Sequence, residues 1–448
     1  MDIPPVIARY LHRHARPAAD WDALPPPAPG LKLCVVIPAL AEAAELPGVL
    51  RSLGRGSARS AEAEVIAVVN NPAGAAAAVV ADNRAALAEL RQPAAGGPAV
   101  HALDRSSPGR ALPPGRAGVG LARRIGMDLA LARLCAAGSV ERAAIACLDA
   151  DAPVAPGYLD ALLAVFDSGD PPPGAVCACA HPIPGDPDRA AAILAYETWM
   201  RYFELGLALA GSPFSYPTIG SCLVSSAAAY AQVGGMPERQ AGEDFYFAQK
   251  LIKLAAGRGL ARLAAARVQP RARLSHRVPF GTGRALLRCR DAGPEAYRWV
   301  EPPEAFFELR RWFAALPAGY RDPAALRRAA GARLARFLDA ERAWPALERI
   351  RANQPDAARF AFAAHCWFDG LKCVRFVHAV ERELGRRWAF DALAALLDAL
   401  GGAADFADLP PPAPPDPPLE LLCAWLERLR HCPPGPQWAE PVGAWGFA

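Results

Sequence analysis

The sequence predicts an α/β fold, a mainly parallel sheet flanked by helices, followed by an α-helical C-terminal region. Three observations lead there. Continuous apolar runs (Leu33-Cys34-Val35-Val36-Ile37, Val65-Ile66-Ala67-Val68-Val69 and Ile145-Ala146-Cys147-Leu148) alternate with helical stretches, as strands buried on both faces do. Polar residues gather just past those runs: Glu42, Asn70, Asn71, Asp149 and Asp151. From about residue 291 onward only helical spacing remains. The 448 residues are 53% hydrophobic and 21% charged, an ordinary globular composition, with length for about two or three domains.

Residues 1–30 form an N-terminal extension whose end, Leu24-Pro25-Pro26-Pro27-Ala28-Pro29-Gly30, reads as a stiff polyproline-like lead-in. The α/β domain then spans 31–290. Its first strand is stopped by Pro38, and helix 42–53 places Leu46, Val49, Leu50 and Leu53 on one face. Strand 64–69 ends at Asn70-Asn71-Pro72, helices follow over 73–91 and 121–135, and strand 143–148 ends at Asp149-Ala150-Asp151. Cys177 and Cys179, one residue apart, read as the inner face of a strand. The helical region, 291–448, carries helical spacing over 303–315, 323–343, 355–384, 388–400 and 419–430, with a proline-rich linker at 409–418.

The charge balance, 49 basic against 45 acidic residues, excludes a gross electrostatic footprint for nucleic acid. The 11 cysteines contain no Cys-x-x-Cys pair and point to a reducing compartment. The N-terminus lacks an apolar signal core, and the most hydrophobic stretch, 190–210, carries Glu197, Arg201 and Glu204. The expectation is a soluble, cytoplasmic protein. Basic amphipathic helices within 303–400 still permit peripheral contact with a membrane surface.

Two motifs can carry chemistry. Asp149-Ala150-Asp151 places two hard carboxylates just beyond a buried strand, where Mg²⁺ or Mn²⁺ could meet a diphosphate. Gly234-Gly235-Met236-Pro237, followed by Ala241-Gly242-Glu243-Asp244-Phe245, sets an acidic pair at the start of helix 244–255. Turn chemistry explains a lone Asp or Asn, and helix capping explains one acid. Downstream, residues 270–284 hold Arg271, Arg273, Arg277, His276 and a Gly-Thr-Gly turn, either a diphosphate-binding loop or a solvated basic one. Residues 212–221 read as an acceptor-side segment. Tyr196, Glu197, Trp199 and Tyr202 read first as the packing face of a helix and second as a sugar platform. His365 and Asp369 share a helix face without a third ligand.

Together these residues resemble the family 2 inverting glycosyltransferases of the GT-A fold. The match includes Val35-Val36-Ile37-Pro38-Ala39-Leu40-Ala41-Glu42, Gly120-Leu121-Ala122-Arg123-Arg124-Ile125-Gly126, Leu148-Asp149-Ala150-Asp151 (the DXD motif), and Gly234-Gly235 with Glu243-Asp244, over about residues 31–285. The resemblance implies that Pro38, Ala39, Glu42, Asn70 and Asn71 line the nucleotide, that Arg123 reaches the nucleotide or its diphosphate, and that Asp149 lies near the ribose. Asp151, with Asp149, would hold Mn²⁺ or Mg²⁺, with His276 as a further ligand and Arg273 and Arg277 on the diphosphate. Asp244 would be the catalytic base, with Glu243 beside it. The partners implied are a UDP- or GDP-sugar donor and a saccharide or lipid-linked acceptor, in a hexosyltransferase-type reaction.

Two departures stand out: Ala41 where the family has Asn, and Asn70-Asn71 where it has acids, which leaves the base open. Mechanistically, an acceptor hydroxyl with a pKa near ~15.7 loses its proton to a carboxylate (~4) only as the glycosidic bond breaks. The alternatives are a haloacid-dehalogenase-like phosphatase with Asp149 as nucleophile, or a non-catalytic sugar-nucleotide-binding protein.

Overall fold

The apolar runs lie at the centre of one seven-stranded sheet in the computed structural model, which describes residues 3–15, 20–91, 96–217, 219–256, 259–277 and 279–431. The strands are β1 (Leu33–Ala39), β2 (Ala63–Asn70), β3 (Ala99–Arg105), β4 (Ala144–Cys147), β5 (Gly174–Cys179), β6 (Leu223–Ser226) and β7 (Ala261–Val268), in the order β3-β2-β1-β4-β6-β5-β7. Val35 pairs with Val65 on one side and Ala146 on the other, both in parallel register. Only β6 runs antiparallel to its neighbours. This is the mainly parallel, helix-flanked sheet that the sequence predicts. Cys177 and Cys179 are buried on β5.

The sequence reading passes over β3, β6 and β7. β3 is an edge strand that buries only alternate residues, among them His101, Leu103 and Arg105. β7, Ala-Arg-Leu-Ala-Ala-Ala-Arg-Val, is the other edge and lacks an apolar run. Edge strands cover one face, so their composition need not announce them.

The helices around the sheet are α1 (Pro5–Arg13), α2 (Leu46–Leu53), α3 (Ala77–Glu89), α4 (Val119–Ala136), α5 (Tyr158–Phe166), α6 (Pro187–Leu209), α7 (Ala227–Gln232), α8 (Glu243–Leu254) and α9 (Thr282–Ala292). Inside the N-terminal extension, α1 is an amphipathic helix ahead of the prolines. It buries Ile7 and Tyr10, and the Tyr10 hydroxyl donates to Asp128 Oδ1 of α4 at 2.7 Å. α4 is buried along most of its length and is tied to the sheet by a charged pair: Arg133 donates to both carboxylate oxygens of Glu64 on β2, at 2.5 and 2.8 Å.

In the C-terminal region, 323–343 is divided among helices Pro323–Ala329, Ala332–Ala340 and the start of Ala343–Ala352. The stretch 355–384 breaks between Ala357–Trp367 and Gly370–Leu384, where Asp369 accepts from the Lys372 N–H at 3.3 Å and caps the second helix. His365 and Asp369 therefore belong to different helices, and His365 is buried against Phe313. A two-stranded ribbon, β8 (Trp299–Val300) with β9 (Arg387–Trp388), joins distant parts of this region. Its apolar core, with Phe306, Trp312 and Phe376, includes Leu194, Tyr202 and Leu205 of α6. Residues 432–448 lie outside the described residues. Among those described, ten cysteines are free, and no helix is long and apolar enough to cross a membrane.

Glu64 supplies a stability test. Burial alone would raise its pKa, but the Arg133 guanidinium, His101 and the Ala28 N–H hold it down at about 2. Its ionised form therefore stabilises the fold above the ordinary glutamate value of ~4.3, and that contribution is lost as pH falls toward 2. Glu64→Gln leaves Arg133 buried without its carboxylate and is expected to cost about 3 kcal/mol in urea unfolding at pH 7, with a smaller deficit at pH 3.

Candidate active site

Because β1, β2 and β4 are parallel, the residues that follow them emerge at one edge of the sheet: Glu42 after β1, Asn70 and Asn71 at the end of β2, Asp149 and Asp151 after β4. The segment leaving β7 comes to the same edge. The Ala155 N–H donates to the Arg267 carbonyl at 2.9 Å, the Gln269 N–H to Pro153 at 2.8 Å and the Arg271 N–H to Asp151 at 3.2 Å. That pairing lays the arginine loop alongside the Asp-Ala-Asp turn.

Arg123 joins two of these elements to a third. It lies in α4, and its guanidinium is nearly inaccessible to solvent. One Nη donates to Asp149 Oδ1 at 2.5 Å and the other to the Glu243 carboxylate. Two glycines make room for this. A Cβ on Gly120 would lie 2.4 Å from the Arg239 carbonyl, so α4 can approach the segment leading into α8 only without one. A Cβ on Gly220 would lie 2.4 Å from the Arg123 guanidinium, which occupies that space. The adjacent Arg124 serves the other motif, donating to the carbonyls of Gly234 at 3.2 Å and Met236 at 3.0 Å.

Glu243 and Asp244 open α8 side by side, Glu243 buried and Asp244 half-buried. Burial pushes both carboxyls above the usual carboxylate range; the Arg123 charge opposes this and the Asp149 charge adds to it. The Phe245 N–H donates to Asp244 Oδ1 at 2.8 Å. An acid held above its ordinary pKa is a better proton acceptor once ionised.

A second charged cluster adjoins the first. Arg273 Nε donates to Asp151 Oδ2 at 2.6 Å, and its terminal nitrogen reaches Glu42. Arg277 also donates to Glu42, and to the Leu40 carbonyl at 2.6 Å. The two loop arginines are thus folded onto the site and are not simply solvated. Glu42 keeps a second, buried oxygen with no hydrogen-bond partner among the described residues, and burial raises its pKa. Burial and the Asp149 charge likewise raise Asp151.

Asn70 and Asn71 behave differently from each other. Asn71 is engaged within the protein: its amide donates to the Pro72 carbonyl at 2.9 Å and its Oδ1 accepts from Asn83 at 2.8 Å. Asn70 keeps a buried Oδ1 with no partner among the described residues. Asn83 on α3, which the sequence reading missed, also accepts from the Ala41 N–H at 2.9 Å. Ala41 has φ +52°, a left-handed conformation that Asn tolerates better than Ala. The departure at Ala41 thus falls on a backbone position that Asn83 helps to hold. Pro38 and Ala39 end β1 beside this turn.

His276 is exposed, and no described hydrogen bond or ion pair joins it to Asp149 or Asp151. The aromatic face of α6 is internal: Tyr196 stacks on Trp199, and the Tyr202 hydroxyl donates to the Glu301 carbonyl at 2.5 Å. In segment 212–221, Tyr216 and Ser221 carry buried hydroxyls with no partner among the described residues. Thr218 and Val278 lie outside the described residues. Gly220 and Asn83 carry no local signal; only an observed Arg123 guanidinium or Ala41 turn marks them.

Arg123→Met removes the cation between Asp149 and Glu243. Without it the Glu243 carboxyl titrates at a still higher pH, and above that value it is ionised, buried and uncompensated. The expected loss is about 3–5 kcal/mol of unfolding free energy at pH 8 and distinctly less at pH 5, where the carboxyl is protonated. Urea unfolding at the two pH values measures the difference.

No protein-family model matches the chain, and no curated protein matches it. Among solved structures, it is similar to the mannosyltransferase PcManGT from Pyrobaculum calidifontis in complex with GDP-Man and Mn²⁺, at 16% identity over 98% of this chain and 92% of that one, TM-score 0.34. It is also similar to S. aureus TarS 1–349 in complex with UDP-GlcNAc, at 13% identity over 89% of this chain and 90% of that one, TM-score 0.37. With TM-scores below 0.5, these likenesses carry no weight in the functional reading.

Proposed function

We propose that the chain is a metal-dependent inverting glycosyltransferase that moves a hexosyl group from a UDP- or GDP-sugar to a hydroxyl acceptor. The observation that carries this reading is the Arg123 bridge: one buried guanidinium joins Asp149 of the Asp-x-Asp turn to Glu243, next to Asp244, at the carboxyl edge of the sheet. The resemblance in sequence assigns a donor role to the first group and a base role to the second.

The residues fit a divalent ion. Five carboxylates (Glu42, Asp149, Asp151, Glu243 and Asp244) adjoin three guanidiniums (Arg123, Arg273 and Arg277), so full ionisation leaves two negative charges in excess. Burial is the main cause of the raised pKa values of Glu42 and Asp151, and a neighbouring carboxylate adds to each. No described hydrogen bond takes Asp149 Oδ2 or Asp151 Oδ1, which leaves each carboxylate an oxygen for a hard cation. A bound Mn²⁺ or Mg²⁺ would offset the charge of the departing nucleoside diphosphate.

In this reading Glu243 holds Arg123 against Asp149 and leaves Asp244 as the base. Asp244 takes the acceptor hydroxyl proton while that oxygen bonds to the anomeric carbon and the bonding pair of the glycosidic bond leaves with the diphosphate. Arg273 and Arg277 would turn from Glu42 and Asp151 toward the diphosphate, to which a guanidinium donates in bidentate fashion. Asn70 Oδ1 is free to accept an N–H from the base, and uracil and guanine both offer one.

Calorimetry with UDP and GDP, with and without Mn²⁺, tests the donor site. One nucleotide should bind to wild type only with metal, and Asp151→Ala should abolish that binding; failure of both nucleotides to bind under either condition overturns the assignment. Asp244→Asn should leave nucleotide binding intact and slow release of the diphosphate from the donor sugar by about 10²–10⁴-fold. In wild type the rate should fall on the acid side at a pH above the ordinary carboxylate value of ~4, because the base must be ionised and its pKa is raised. A profile flat down to pH 4 would contradict Asp244 as the base.

A further inference from the structure

Away from the sheet edge, Glu301, His378 and Glu381 bring one nitrogen and two carboxylate oxygens within 4.8 Å of one another. Glu301 follows β8, and His378 and Glu381 stand three residues apart on helix Gly370–Leu384, a spacing that puts both side chains on one face. We infer that these three residues form a second metal site, for a transition dication such as Zn²⁺, separate in place and chemistry from the Asp149–Asp151 turn.

Glu301 is the reason to expect a cation. Its side chain is only 5% exposed, yet its one ion-pair partner among the described residues is His378, which is charged only when protonated. Glu301 thus sets a buried carboxylate oxygen beside an imidazole nitrogen, two groups that can share one ion. The separation of His378 Nε2 from Glu301 Oε1 is 3.6 Å, long for a hydrogen bond. It is close to the roughly 3.3–3.4 Å between two ligands that share a tetrahedral ion at about 2.0–2.1 Å.

The surroundings orient the ligands. Trp199 Nε1 on α6 donates to Glu301 Oε2 at 3.0 Å, which turns Oε1 toward His378. Arg386 Nε donates to Glu381 Oε1 at 2.7 Å and leaves Oε2. Such outer hydrogen bonds fix metal-binding carboxylates. Imidazole with two carboxylates suits Zn²⁺ better than Mg²⁺ or Ca²⁺, which favour all-oxygen sites. With His378 at the surface, the fourth position is open to water. The ion would join the segment after β8, anchored on α6 through Trp199, to helix Gly370–Leu384.

The test uses the full chain, stripped with chelator and dialysed against Zn²⁺, with bound metal counted by mass spectrometry. Wild type and Asp151→Asn should each hold one Zn²⁺, while His378→Ala and Glu381→Gln bind it about tenfold more weakly or worse. The melting temperature should rise with Zn²⁺ in wild type and not in His378→Ala. Co²⁺ should give the visible absorption of a low-coordinate site in wild type only. Absence of Zn²⁺ from wild type, or binding that both His378→Ala and Glu381→Gln leave unchanged, overturns the site. His378→Ala also removes the partner of buried Glu301, so Glu381→Gln, which keeps that pair, separates loss of a ligand from loss of stability.

Discussion

The buried guanidinium of Arg123 is the constraint on which the candidate site depends. Taking a cation out of water is unfavourable by several kcal/mol, and the structure offsets this with two carboxylates from separate elements. One follows β4 and the other opens α8. The pair is satisfied only if α4 lies against the segment before α8, which Gly120 allows, and if nothing stands where Gly220 lies. Hence helix packing, strand order and two glycines all bear on the position of one side chain. Arg124, next in sequence, secures the Gly234–Met236 turn, so a single turn of α4 organises both motifs.

The charges around that point are arranged in two connected groups. Arg123 governs Asp149 and Glu243, while Arg273 and Arg277 govern Asp151 and Glu42. Burial raises several of their pKa values, neighbouring carboxylates add to the rise, and the excess of carboxylates makes the site receptive to positive charge. The loop arginines are held by side-chain ion pairs that a diphosphate could compete for, whereas Arg123 is enclosed. That difference suits the one to structure and the others to ligand.

The helical region is attached to the sheet by a charged network as well as by apolar packing. Glu197 on α6, fully buried, accepts from Arg430 of the last described helix, Leu419–His431, through both oxygens at 2.8 Å. It also accepts from the backbone N–H of His181, just past β5, at 3.0 Å. His181 Nε2 lies 3.0 Å from the Thr282 hydroxyl, where the arginine loop runs into α9. These contacts hold Glu197 low in pKa despite burial and give the aromatic face of α6 an internal task. The last described helix is thereby linked, through Glu197 and His181, to Thr282 at the end of the loop that carries Arg273 and Arg277.

Much was legible in the sequence because it is local. The runs of β1, β2 and β4, the helical spacing of α4 and α8, and the polar residues at strand ends follow from side-chain periodicity and turn chemistry over a few residues. That is enough to place Asp149, Asp151, Glu243 and Asp244 at element ends. It misses β3 and β7, whose one-sided burial leaves weak patterns, and α1, masked by the prolines behind it. It also runs helices together where Asp369 breaks them. Which arginine meets which carboxylate was decided only by tertiary structure, as were the engagement of Asn71 by Asn83, the exposure of His276 and the meeting of Glu301 with His378. Those partners are 12 to 235 residues apart, and their encounter is set by sheet order and helix packing, which no local stretch of sequence encodes.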